Sequence, residues 1–289
     1  MRTHNCNPTL TDSEVLEFCK QGFLMLPGIV PEEVNQKTLD FIETSPTTTG
    51  ALPLLETDWF LDNVLLHPRV AGAVRSLLGN NFGLPVHIAN HRVVCPAQGQ
   101  GWHRDDGSKH GPELDYLQVF YLPQACPREL GPTELVPGSH HLFSAGGRMG
   151  HYGGIQGSYH AVSPAGSVCI TVYSIWHRRS TSTASGARSL LKFNYWRTEP
   201  PQRDWIVEPD FDLATADYKM DGPFFQPQYQ NCNDNARMFL WLCGKPFSYI
   251  GGQGWPNYMA PGTTLDGPYG APAALVDESI GNSRTTADD

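Results

Sequence analysis

The first 80 residues show two kinds of hydrophobic pattern. One is apolar residues at helical spacing, and the other is a single short continuous apolar run. A cap at Thr11 or Asp12 precedes a predicted helix with an apolar face formed by Val15, Leu16, Phe18 and Cys19. The run "GFLMLPG" is bounded by glycines and is typical of a short strand. Helical spacing returns in "PEEVNQKTLDFIE" and in "HPRVAGAVRSLLG", which ends at Gly79. We therefore predict a helical layer at the start of the chain.

From about residue 84 onward, short β-rich runs follow one another: "VHIANHRVVCP", "DYLQVFYLP", "TELVPGSH", "YHAVSPAGSVCITVYSIWH" and "RSLLKFNYWR". Clusters of Gly, Pro or Ser bound these runs, and no helical pattern intervenes, which favours an antiparallel sandwich or barrel. After residue 200 only "RMFLWLCG" has a clear helical pattern. We predict one domain over residues 1–275 with its core at 84–200, followed by a disordered tail at 276–289.

Composition and charge narrow the possible partners. The 29 Gly and 24 Pro of the 289 residues indicate many turns, and the net charge of -9 argues against a nucleic-acid or anionic-membrane surface. The seven cysteines are scattered without a C-x-x-C spacing, so neither a disulfide framework nor a zinc knuckle is indicated. The first 25 residues have no secretory-signal pattern, and no apolar run reaches 18 residues. We expect a cytoplasmic protein that acts on a small molecule.

The stretch "GQGWHRDDG" holds a possible pair of metal ligands. On a strand, His103 and Asp105 would face the same way, whereas the adjacent Asp106 would face the opposite way. With 11 histidines and 29 acidic residues, such a spacing arises about once by chance, so a third ligand is required. The best candidate is His177, which ends a β-branched and aromatic run. Two imidazoles and one carboxylate form the facial triad of non-heme Fe(II) oxygenases.

An arginine follows His177 at the start of the next predicted strand. Arg188 comes 11 residues after His177, and strand alternation would place it on one face with Leu190, Lys192 and Asn194. A buried guanidinium needs an anion, and a carboxylate matches its geometry. A dicarboxylate cosubstrate would provide that carboxylate.

Together these segments resemble the phytanoyl-CoA dioxygenase family of Fe(II)/2-oxoglutarate oxygenases. The resemblance covers about residues 10–200 and rests on "GFLMLPG", "GWHRDD", "GPTELVPGSHH" and "WHRR" followed by the arginine. It implies a mainly β fold, a double-stranded β-helix (jelly roll, cupin-like) core with N-terminal helices packed on one side. It implies Fe(II), 2-oxoglutarate and O2 as cofactor and cosubstrates, with iron on His103, Asp105 and His177.

For 2-oxoglutarate, the resemblance implies that Arg188 binds the C5 carboxylate and that Tyr121 and Thr133 contact the molecule. The chain departs from the family at Arg179, where a small hydroxyl residue is common. That arginine either turns outward or helps to bind an anion.

Two functions are compatible with these patterns. The favoured one is a dioxygenase that hydroxylates an unactivated C–H bond of a small or medium organic substrate and converts 2-oxoglutarate to succinate and CO2. The alternative is a metal-binding β-barrel module, or a metal-dependent isomerase, without oxygenase turnover. Arg188 discriminates between them because a metal site alone does not need it. The glycine-rich segment 145–160 is either a lid over the substrate or an ordinary surface loop.

Overall fold

The computed structural model describes residues 2–44, 49–50, 53–105, 108, 111–142, 148–149, 153–213, 215–217 and 228–245. Its helices are α1 (Asp12–Gln21), α2 (Glu32–Glu43), α3 (Asp58–Phe60), α4 (Pro68–Leu78) and α5 (Gln228–Leu242). None of its helices is long and apolar enough to cross a membrane, within the part of the chain described. The predicted domain boundary at residue 275 and the predicted tail lie outside this part.

The strands are short, as the turn-rich composition predicts. In chain order they are β1 (Thr3–His4), β2 (Phe23–Leu26), β3 (Thr49–Gly50), β4 (Phe82–Gly83), β5 (Ile88–Asn90), β6 (Val93–Cys95), β7 (Trp102–His103), β8 (Tyr116–Leu122), β9 (Thr133–Leu135), β10 (Arg148–Met149), β11 (Tyr159–His160), β12 (Ser167–Val172), β13 (His177–Arg179), β14 (Gly186–Arg188) and β15 (Leu191–Trp196).

The strands form antiparallel sheets. The large sheet has the order β1-β4-β15-β8-β12-β2, with β3 and β5 beside β15. A second sheet has the order β10-β7-β13-β9-β11, and β14 pairs with β6. This mainly β architecture with N-terminal helices confirms the predicted jelly-roll class.

The helices begin and end where the local sequence requires. Thr11, and not Asp12, caps α1: its hydroxyl accepts from the Glu14 N–H, and the Glu14 carboxylate accepts from the Thr11 N–H at 2.9 Å. Asp12 is fully buried and instead binds Arg203 through both carboxylate oxygens. Gly22 ends α1 at a φ of 78°, a left-handed conformation that glycine adopts without strain.

The large sheet separates the helical layer from the interior that holds the site. On β15, Leu191, Phe193 and Tyr195 are buried and belong to the main core shared with the helices, whereas the residues between them are only half-buried. On β8, Leu117, Val119 and Tyr121 belong to the same core. The alternate residues of both strands, among them Gln118, Phe120 and Lys192, therefore face the other way.

The region around Arg188 differs from the continuous strand that the alternation predicted. Arg188 ends β14 and pairs with Val93 of β6, and the large sheet resumes only at Leu191. The His91 N–H donates to the Leu190 carbonyl at 2.8 Å in the interval between them. The strand is therefore interrupted, yet Arg188, Leu190 and Lys192 still line one cavity.

Candidate active site

Two histidines meet across the second sheet. His103 of β7 and His177 of β13 are direct partners in the antiparallel register, and their ring centroids lie 4.4 Å apart. The Nδ1 atom of His103 lies 2.9 Å from the Gly101 carbonyl, and that of His177 lies 3.1 Å from the Ile175 carbonyl. Because a carbonyl only accepts, each Nδ1 carries the proton and each Nε2 presents a lone pair, as a metal ligand requires.

Asp105 completes a cluster that could hold a metal ion. One ligand atom from each of His103, Asp105 and His177 can be chosen so that all lie within 4.8 Å of one another, and no other such group occurs among the described residues. The regular strand that we expected beneath Asp105 ends at His103, so the chain beyond β7, not strand alternation, brings the carboxylate in. The rival, Asp106, lies outside the described residues.

The electrostatics of the cluster suit a metal site. Burial opposes ionisation of Asp105, but His177, Lys192 and a hydrogen bond from Gln118 outweigh it and lower its pKa to about 2. Burial lowers the pKa of His177 to about 4, against the opposing effect of Asp105. At neutral pH His177 is thus uncharged, and Lys192 and Gln118 keep the carboxylate ionised. Two imidazoles and one carboxylate are the donor set that fits Fe(II).

A buried guanidinium that has no anionic partner among the described residues lies in the same cavity. This cavity has a volume of about 170 Å³ and is lined by the three candidate ligands together with Arg188 and Thr133. Arg188 is 4% exposed and donates through Nη2 to the Thr133 hydroxyl at 2.9 Å. Its Nε is buried and has no hydrogen-bond partner among the described residues. Burial lowers the pKa of Arg188. A carboxylate would satisfy both its charge and its free N–H.

Tyr121 does not line this cavity, although the resemblance implies that it contacts 2-oxoglutarate. It is fully buried on the helix side of β8, where its hydroxyl donates to Asn35 Oδ1 at 2.7 Å. Phe120, its neighbour on the opposite face, lines the cavity with its ring centroid 5.7 Å from His177. The run "VFYLP" is apolar throughout and gave no signal of which aromatic residue faces inward.

The sequence analysis assigned no role to several residues that line the cavities. Strand alternation places Lys192 on the face of Arg188, whereas no local pattern indicated that Gln118 of β8 faces the site. Arg179, whose direction was open, lines the same cavity. Its Nη2 donates to the Gln98 carbonyl at 2.7 Å, and its Nη1 is buried without a partner among the described residues.

A second, larger cavity adjoins the first. Its volume is about 460 Å³, and it shares Asp105 and Lys192 with the smaller cavity. The rest of its lining includes Gln118, Tyr173, Asn194 and Trp196. The ion pair of Asp105 with Lys192, at 2.7 Å, therefore borders both cavities.

The described part of the 145–160 segment runs beside the metal-ligand strand. The backbone of Arg148 pairs with His103, and that of Met149 pairs with Trp102. The Gly153 carbonyl accepts from Trp102 Nε1 at 2.9 Å. Residues 145–147 and 150–152 lie outside the described residues, and the lid remains a prediction.

Of two comparisons of the sequence with known proteins, one gave a match. A profile of the family described as Phytanoyl-CoA dioxygenase (PhyH) matches residues 35–189, more than half of the chain. That range contains the three candidate ligands and Arg188. No protein in a search of curated sequences matched significantly.

Solved structures with the same fold include three with bound metal and cosubstrate. HygX from Streptomyces hygroscopicus, with nickel and 2-oxoglutarate bound, has a TM-score of 0.54 at 16% identity, over 68% of this chain and 90% of HygX. CytC3 with Fe(II) and alpha-ketoglutarate has a TM-score of 0.50 at 17% identity, over 67% and 79% of the two chains. The epimerase SnoN, in complex with Fe3+, alpha ketoglutarate and nogalamycin RO, has 0.50 at 14%, over 68% and 94%.

These structural similarities show the fold, and the sequence profile shows the family, as the sequence motifs predicted. Oxygenase-type chemistry is thereby the supported reaction class. The chain belongs to the phytanoyl-CoA dioxygenase family.

Proposed function

We propose that the protein is an Fe(II)/2-oxoglutarate-dependent dioxygenase that hydroxylates an unactivated C–H bond of a small or medium organic substrate. One observation carries the proposal: the same cavity is lined by a histidine-aspartate-histidine cluster and by a buried guanidinium that pairs with no anion in the described part of the chain. A metal site alone would not need Arg188, so this pairing favours the dioxygenase over a metal-binding module or isomerase. The bound groups in HygX and CytC3 support the same assignment.

Five residues of the smaller cavity have defined tasks in this proposal. His103, Asp105 and His177 would hold Fe(II). Arg188 binds the C5 carboxylate of 2-oxoglutarate, and the Thr133 hydroxyl orients the guanidinium. When bound, Fe(II), 2-oxoglutarate and O2 supply an oxidative decarboxylation that releases succinate and CO2 and provides the oxidant for the C–H bond.

The larger cavity is the place we assign to the organic substrate. It reaches the candidate ligand Asp105 from the side of Gln118 and Asn194, away from Arg188. Tyr173 and Trp196 in its wall offer aromatic surface to a carbon skeleton. A molecule held there would contact Asp105 and would lie outside the smaller cavity, where we place 2-oxoglutarate.

The direct test is a titration of 2-oxoglutarate into the anaerobic Fe(II)-loaded protein. We expect a metal-to-ligand charge-transfer band that saturates at one 2-oxoglutarate per iron, and iron-dependent succinate release once O2 is admitted. Iron binding without the charge-transfer band would contradict the dioxygenase and favour the metal-binding module or isomerase. Once a substrate is identified, a product that has gained one oxygen atom distinguishes hydroxylation from epimerisation.

A further inference from the structure

The two oxygens of the Asp105 carboxylate face different groups. Oδ1 lies 3.8 Å from Nε2 of His177, on the side of the candidate metal ligands. Oδ2 accepts a charge-assisted hydrogen bond from Lys192 Nζ at 2.7 Å and a second hydrogen bond from Gln118 Nε2. One oxygen is thus held by the protein, while the other is directed towards the histidines.

The two donors come from a rigid part of the fold. Gln118 of β8 pairs with Asn194 of β15, and Phe120 of β8 pairs with Lys192 of β15. Gln118 and Lys192 are therefore diagonal neighbours on the inner face of the central two strands, a separation that long side chains span. The orientation of the Gln118 amide follows from its partner, because a carboxylate only accepts and Nε2 must face it.

We propose that Lys192 and Gln118 are positioning residues that keep Asp105 a monodentate metal ligand. The proposal rests on the proposed function. With two histidines and one carboxylate oxygen bound, an octahedral metal keeps three open positions. A 2-oxo acid chelates through two oxygens, so three positions accommodate it and O2. If Oδ2 also bound, as carboxylates readily do, only two positions would remain.

The test uses Ni(II)-loaded protein saturated with oxalate, a chelator that fills two positions on the metal, and azide as the probe of the third position. In Lys192→Met and in Gln118→Leu, we expect Ni(II) and oxalate binding to be retained and azide affinity to fall by about 10-fold or more, because a second bound Asp105 oxygen would take the position that azide needs. Lys192→Arg keeps both the charge and a donor, and should recover most of the azide affinity. Calorimetry measures these equilibria without turnover.

Three controls separate the positioning of Asp105 by Lys192 and Gln118 from other causes of weaker ligand binding. Lys37→Met removes the same charge from an exposed residue of α2 that pairs with Glu33, and should leave the Ni(II) and azide affinities unchanged. Gln118→Leu changes no charge, so a loss there cannot come from weaker attraction of the azide anion. Arg188→Ala should weaken 2-oxoglutarate but not azide. A general folding defect would lower Ni(II) affinity and the melting temperature together with azide affinity.

Crystal structures of the Ni(II)-loaded variants give the direct readout. We expect Oδ1 alone on the metal in the wild type and both Asp105 oxygens on it in Lys192→Met. Two bound oxygens in the wild type would overturn the proposal, as would unchanged azide affinity in Lys192→Met and Gln118→Leu. The 2-oxoglutarate titration and succinate release test the dioxygenase assignment separately from these outcomes. A wild type that binds no metal would overturn the proposed function as well.

Discussion

Arg188 is the residue whose chemistry most sharply separates the two candidate functions. It is buried, its Nε has no partner among the described residues, and Thr133 provides only a neutral contact. A guanidinium in that state binds a carboxylate strongly, because both gain charge-assisted hydrogen bonds away from water. Its contribution should therefore appear in cosubstrate affinity and not in metal affinity.

We expect Arg188→Ala to leave Fe(II) binding intact and to weaken 2-oxoglutarate by a hundredfold or more. Removing one partner of a buried charge pair typically costs roughly 3–5 kcal/mol, and each factor of ten corresponds to about 1.4 kcal/mol. Arg188→Lys should recover part of the loss, since an ammonium cannot form the paired hydrogen bonds of a guanidinium. The charge-transfer titration measures both variants. Equal affinity in Arg188→Ala and wild type would remove the C5-carboxylate role.

His103 and His177 provide the matching test of the metal. We expect either His103→Ala or His177→Ala to abolish binding of one Fe(II) per chain, because a facial site loses one of its three ligands. Metal analysis of the purified variants after Fe(II) loading measures this. His160→Ala is a suitable control, since His160 lies on β11 and outside the candidate cluster. Full iron content in the His103 and His177 variants would contradict the ligand assignment.

At the scale of elements, the alternation of β8 decides which aromatic residue serves the site. Tyr121 faces the helices and binds Asn35, whereas Phe120 faces the cavity. Tyr121→Phe should lower the free energy of unfolding by about 1–1.5 kcal/mol, the usual value of one hydrogen bond, and leave 2-oxoglutarate affinity unchanged. Urea unfolding and the charge-transfer titration measure the two effects. A large loss of cosubstrate affinity with unchanged stability would place Tyr121 in the site after all.

The same elements show what the sequence could predict. Helices α1, α2 and α4 and strand β2 follow from local periodicity and caps, and alternation placed Arg188 and Lys192 on one face. Three features depended on contacts distant in sequence: the interruption between β14 and β15, the inward face of β8, and the role of Lys192. A local pattern reports spacing along one strand but not its register with its neighbours, which sets these features.

At the scale of the whole molecule, the two faces of the large sheet have different roles. Its helix side packs the main core, so stability resides there, while its inner side carries Gln118, Phe120 and Lys192 towards the second sheet. The second sheet contributes His103 and His177 as paired neighbours. The site therefore forms only when both sheets are assembled, and it places ionisable groups in a buried interior.

That placement predicts how stability of the metal-free protein depends on pH. Burial, together with Lys192 and Arg188, lowers the pKa of His91 to about 4, and burial lowers that of His177 to about 4. Both have ordinary values of 6.5, so between pH 6.5 and 4 the unfolded chain binds protons that the folded chain does not. Unfolding free energy is therefore fully present above pH 6.5 and decreases as pH falls to 4, by up to about 1.4 kcal/mol per unit for each group. Asp105 contributes to further loss only below its ordinary value, as pH approaches 2.

His91→Gln tests this dependence without removing a candidate metal ligand. Glutamine stays neutral, so the variant should lose less unfolding free energy than the wild type between pH 6.5 and 4.5. The slope of its unfolding free energy against pH should be smaller by up to about 1.4 kcal/mol per pH unit, the value for one proton. Urea unfolding of both proteins in the presence of a chelator, at pH 7.5, 6.5, 5.5 and 4.5, measures the difference. The control His67→Gln changes a helix-capping histidine with lesser burial, and its slope should stay closer to that of the wild type. Parallel pH profiles for His91→Gln and wild type would mean that His91 already takes up its proton in the folded protein, and that the interior is open enough to water to stabilise its charge.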